Sequence, residues 1–115
     1  MFDGVWKAVS GKLGDQTIPL PDTVLKIAGG RYLVETPEGE DAGDLKWGPE
    51  GAVQSVDMVG TAGAHAGNRI EGIARVKGKF MQLCYAVDGS GRPRSFEAVP
   101  GTAVVTVRYR RMDVA

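Results

Sequence analysis

Glycine and proline punctuate this chain so often that no stretch longer than about ten residues keeps a clean helical period. There are 17 glycines, about twice the average share, scattered singly and in pairs with no Gly-X-Y repeat. Between them stand short β-rich runs: Val5 to Lys12, then "TVLKIA", "RYLVET", "AGDLKW", "AVQSVDMV", "RIEGIARV", "FMQLCYAV" and "VVTVRYRR". Most are joined by short turns such as Gly29-Gly30, "PEGED", "GPEG" and Lys77-Gly78-Lys79. Short turns force neighbouring strands to run antiparallel. A meander of about eight such strands has two unprotected edges unless its first and last members pair. Closure makes an up-and-down β-barrel. The alternative, a two-sheet sandwich, needs Greek-key crossovers. Only "GDQTIPLPDT" and "DGSGRPRSFEAVPGTA" are long enough to provide them. The expected fold is therefore all-β, an antiparallel barrel of about eight strands forming one domain over residues 1–115. At most a short helical turn near Pro21 and Asp22 follows the first strand, because Pro19 and Pro21 forbid a central strand there.

Charge narrows the function classes. Lys+Arg and Asp+Glu both number 14, so the chain lacks the long-range field that drives nucleic-acid or anionic-membrane binding. The "RYRR" near the end is too short to change this, and alternation splits its charges between two faces. No apolar run approaches the ~20 residues of a membrane span. "MFDGVW" has no basic segment followed by an apolar one, so a cytoplasmic location is expected. Cys84 is the single cysteine, which rules out an intrachain disulfide. "GKLGDQ" and "GGRYLV" lack the strand-to-helix context of a phosphate cradle, and no cofactor is expected.

The order Gly4-Val5-Trp6-Lys7, Gly72-Ile73, Met81 to Ala86 ("MQLCYA"), and Arg92-Pro93 ahead of Phe96 resembles a family of uncharacterised bacterial lipocalin-like domains. The resemblance covers essentially the whole chain. It departs from the pattern at Met81, where leucine is usual, and at Ala74, where a larger aromatic is common and alanine would enlarge the interior. It implies a lipocalin-like barrel with no established activity and no known catalytic residue. In such barrels the tryptophan of Gly-X-Trp plugs the closed end and an arginine late in the last strand lies over its ring. Strand parity with Val105, Val107 and Tyr109 puts Arg111 in that place, with Arg110 as second choice. Gly4 leaves room for the chain to curl beneath the ring, so Gly4, Trp6 and Arg111 form a structural plug.

Alternation also yields the inner face of each strand. Trp6, Ala8 and Ser10 share a face of the first strand; Leu25 and Ile27 meet Tyr32 and Val34 in the hairpin. Leu45, Trp47, Val56, Met58, Ile70, Gly72, Ala74 and Val76 follow, then Met81, Leu83, Tyr85 and the inner residues of the last strand. The opposite faces carry Lys26, Arg31, Asp44, Lys46, Asp57, Glu71, Arg75, Gln82 and Arg108, which suit water; Ile73 breaks this pattern and reads as a bulge or an interface contact.

Two readings of function follow. In the first, Tyr32, Trp47, Met58, Met81, Leu83 and Tyr85 wall a pocket for a small apolar or amphipathic ligand, opening opposite Trp6. The same side chains could instead simply fill a small barrel. Phe96 of the long loop would tuck into the rim, with Arg92 and Arg94 receiving an anionic headgroup or remaining solvated. In the second, outward Val5, Val9, Ile73 and Val104 form an apolar patch through which a structural module self-associates as a homodimer. No catalytic group is expected. Cys84 falls on the outer face without a base, and the lone His65 sits in a loop of small residues with no partner for metal binding. Glu38, Glu40, Asp41 and Asp44 are placed in a turn, where solvation is the default.

Overall fold

The computed structural model describes residues 2–63, 66–96 and 99–112. Nine strands are found among them: β1 (Gly4–Leu13), β2 (Gln16–Ile18), β3 (Val24–Ala28), β4 (Arg31–Thr36), β5 (Gly39–Trp47), β6 (Gln54–Ala62), β7 (Arg69–Lys77), β8 (Phe80–Ala86) and β9 (Val104–Arg111). From β3 to β9 each strand is antiparallel to the next, and β1 pairs with both β3 and β9. Eight strands thus close into a barrel, and β2 lies outside the ring against the end of β1. No helix occurs among the described residues. Where a helical turn near Pro21 was an option, the connector instead forms β2, which stops at Ile18 before Pro19. This suits an outside strand that needs no donor from proline.

Local chemistry dictates the turns that set the register. Gly29 and Gly30 both have positive φ (58° and 76°), the pair of values a type I′ hairpin requires, and the turn brings Ala28 against Arg31. The turns β3–β4, β5–β6 and β7–β8 all lie at one end, together with the start of β1 and the end of β9. The turn β4–β5, residues 63 and 66–68, the β1–β3 connector and the start of the long loop after β8 lie at the other.

β1 has to serve two neighbours on one side, and a bulge makes this possible. It pairs with β3 through Gly4 to Lys7 and with β2 through Gly11 to Leu13, and between Ala8 and Ser10 its register on β9 shifts by one residue. The inserted Val9 bends the strand and reverses its parity. Ser10 therefore does not share the inner face with Trp6 and Ala8: it is exposed, while Gly11 is buried under Leu20.

The closed end is built around Trp6, which is fully buried. Its Nε1 donates to the Phe2 carbonyl at 2.9 Å, and the Phe2 ring stacks on Trp47 at 4.2 Å between centroids. Arg111 lies directly across from Trp6 in the ladder. Its guanidinium stands 4.1 Å above the indole, and Nη1 donates to the Asp3 carbonyl at 2.8 Å. A side chain at Gly4 (φ 144°) would put Cβ 2.5 Å from Arg111 Nη1. The plug of Gly4, Trp6 and Arg111 is thus a single packed unit.

The outer face holds the main departure from expectation. Ile73 is neither bulged nor an interface contact: it pairs regularly with Cys84 and Ser55, yet it is buried. The long loop after β8 folds back over it. Ser95 O lies 3.8 Å from Cys84 Sγ, and the Phe96 ring sits under the Arg75 guanidinium at 4.2 Å. Covering Ile73 removes it from any apolar patch shared with Val5, Val9 and Val104.

Candidate functional site

The barrel encloses a cavity of about 820 Å³ that opens at the end opposite Trp6. An eight-stranded barrel is just wide enough for its own side chains to fill. Here two of the inward positions that line the space, Ala8 and Ala74, carry only a methyl group, while Tyr32 packs over the inward Gly43. The volume falls within the range of pockets that take small molecules.

Six of the residues singled out from the sequence line this space. Trp47 lies toward the closed end, where Phe2 covers its ring, with Met81 and Leu83 nearby at buried positions. Tyr32, Met58 and Tyr85 form the walls. Tyr109 and Val107 complete the interior from β9. The lining is thus aromatic and thioether, which is large in contact area and adaptable in shape.

Arg92 and Phe96 do not line the cavity. Gly89 and Gly91 pass along its mouth, but the chain then turns outward and Arg92 locks onto the outer face of β6 and β7. Its Nη2 reaches Asp57 at 2.6 Å and Glu71 at 3.3 Å, while Nη1 donates to the carbonyls of Gly72 (2.9 Å) and Val56 (3.3 Å). Asp57 also receives Arg69 at 2.7 Å. The reason is electrostatic: Asp57 and Glu71 stand opposite one another across the β6–β7 ladder, and two facing carboxylates need cations. The Arg92 hydrogen bond, and then Arg69, hold the Asp57 carboxyl below the usual carboxylate range. Arg92 and Phe96 are therefore anchors of the loop. Arg94 is exposed. His65 lies outside the described residues, and among those described no three His, Cys, Asp or Glu side chains gather closely enough to hold a metal ion.

The interior phenols respond to burial. Burial pushes the Tyr109 and Tyr85 hydroxyls above their ordinary values, and Tyr32 is raised by burial first and then by the negative charges of Asp41 and Asp44. A folded-state value above the unfolded one adds stability that is complete below the unfolded value of about 10 and lost as pH rises past it. Stability should therefore hold steady to about pH 10 and then fall by up to about 1.4 kcal/mol per pH unit for each such tyrosine. Denaturant titrations at increasing pH should show a shallower fall in Tyr109→Phe; equal slopes in variant and parent would contradict the assignment.

Asp41 is the inward residue that sequence reading missed. β5 begins at Gly39, so Glu40, Asp41 and Asp44 belong to the strand rather than to a turn, and Asp41 shares the inner face with Gly43 and Leu45. It lines the cavity mouth, half-buried, with Oδ1 shut off from solvent and without a hydrogen-bond partner. The available signal was parity counted back from Leu45 and Trp47. No family model, curated protein or solved structure matches the chain.

Proposed function

We propose that this protein is a small lipocalin-like binding barrel that takes a small apolar or amphipathic molecule into its interior. The observation that supports the reading is the 820 Å³ cavity, open at one end and walled by Tyr32, Trp47, Met58 and Tyr85. The opposite end is sealed by Trp6, so the ligand has one way in. Burying an apolar molecule there removes its surface and that of the lining from water, at roughly 25 cal/mol per Å² before the cost of association.

A neutral solvatochromic dye such as Nile red tests the reading. It should bind saturably with one dye per chain and emit as in an apolar medium. Ala74 is fully buried on the cavity wall, and Ala74→Phe should fill the space and weaken dye binding by at least about tenfold. Val34→Trp, on the opposite wall, provides a second way of filling it. Native mass spectrometry of freshly purified protein should show a reproducible small-molecule adduct. Adduct-free protein that also fails to saturate with dye would sink the proposal.

A further inference from the structure

The cavity mouth carries a charge pattern that its apolar walls do not need. Asp41 is the charged residue on the inner face at the mouth, whereas Arg69 and Glu71 border the cavity from outward positions of β7. Arg69 is paired with Asp57 at 2.7 Å, and Glu71 with Arg92 at 3.3 Å. Asp41 is different. Among the described residues it has no cationic partner, and its Oδ1 is buried beneath Gly63 with no donor. Oδ1 is closed to a cavity occupant as it is to water, so a ligand would meet the carboxylate through its other oxygen, which Asp41 presents at the mouth.

Its surroundings favour one kind of occupant. Tyr32 pairs with Gly43, two residues along the same inner face from Asp41. The Tyr32 ring lies over Gly43 so closely that a Cβ there would come 2.7 Å from the hydroxyl. A carboxylate beside an aromatic wall is the chemistry that receives an ammonium: the carboxylate accepts a charge-assisted hydrogen bond and the ring offers its negative face. An anionic head in the same place would meet Asp41 with like charge. A neutral hydroxyl could donate to Asp41 but would gain only the weaker bond.

We propose that the ligand of this cavity is an amphipathic amine, its ammonium seated at the mouth against Asp41 and beside Tyr32, its apolar body reaching inward toward Met58 and Trp47. This deepens the binding reading above and rests on it.

The test is displacement of bound Nile red at neutral pH by three molecules that share one alkyl chain: decylammonium, decanol and decanoate. Decylammonium should displace the dye at the lowest concentration, at least about tenfold below decanoate, with decanol between. Asp41→Asn should abolish the preference for the amine over the carboxylate while leaving decanol little changed. The ranking in the parent protein decides the matter even if that variant does not fold. Decanoate equal to or better than the amine, or a folded Asp41→Asn that keeps the preference, overturns the amine assignment and leaves the binding reading standing. Failure of the dye, or of all three displacers, overturns the binding reading and the amine assignment with it.

Discussion

Trp6→Ala is expected to lower the free energy of unfolding by about 3–5 kcal/mol, the range for emptying a buried tryptophan site. Trp6 is fully buried, and three other groups depend on it. The Arg111 guanidinium would lose the ring it lies over, the Phe2 carbonyl would lose its donor, and Phe2 itself would lose the support that presses it onto Trp47. The effect should spread from the closed end into the β1–β9 seam, because Trp6 and Arg111 are direct partners in that ladder. Equilibrium denaturation in urea measures it. Trp6→Phe, which keeps a ring beneath Arg111 but not the hydrogen bond to Phe2, should fall between parent and alanine variant. A loss below about 1 kcal/mol for Trp6→Ala would show that the indole is not a packed plug.

Arg92→Ala is the second large effect, about 2–3 kcal/mol, from removing one partly buried guanidinium that serves two carboxylates and two backbone carbonyls. It should also free the loop. Cys84 is fully buried under that loop, with Ser95 O at 3.8 Å and Thr106 Oγ1 at 3.5 Å, and burial raises its thiol above the ordinary value. Loss of the anchor should let a thiol reagent reach Cys84 faster under native conditions. The deficit should depend on acid in a definite sense. Asp57 has a lowered folded-state value, so its contribution is present at neutral pH and is lost as pH falls through the carboxylate range. The gap between parent and Arg92→Ala should therefore be widest at neutral pH and narrow in acid. Unchanged stability and unchanged Cys84 labelling would remove Arg92 from this role.

What the sequence could reveal was whatever follows from alternation and turn chemistry. Arg111 over Trp6 is one such feature: both are strand residues, and counting from Tyr109 is enough to place the arginine inside. The inward Tyr32, Met58 and Tyr85 follow from the same count. Ser10 did not, because parity cannot be carried past a bulge, and nothing in "KAVSGK" announces that Val9 is the extra residue. Asp41 was hidden by a shorter turn than "PEGED" suggests: the chain reverses at Pro37 and Glu38, and the acidic run after it is already strand. The course of the long loop could not be read locally at all. It is fixed by Asp57 and Glu71, which are 35 and 21 residues away from Arg92, and by the need to cover outward apolar residues. Ile73 and Cys84, facing each other on the outside of the barrel, were the visible sign that something must lie over them.

Whether a cavity exists at all turned on small residues whose inward direction alternation supplies but whose combined effect needs the closed ring. Gly72 and Ala74 are adjacent inward positions of β7, and Gly43 and Gly60 are paired across β5 and β6. Only when β1 meets β9 does Ala8 of β1 join Ala74 of β7 around one volume, while Tyr32 packs over Gly43.

The central claim is that this volume is accessible and takes an apolar molecule, and the methionines report on it directly. Met58 and Met81 line the cavity, whereas Met112 is 43% exposed beyond the end of β9. In protein carrying ¹³C-methyl methionine, titration with decanol should shift the Met58 and Met81 methyl resonances saturably and leave Met112 in place. Stationary Met58 and Met81 signals, or a shift confined to Met112, would contradict the account.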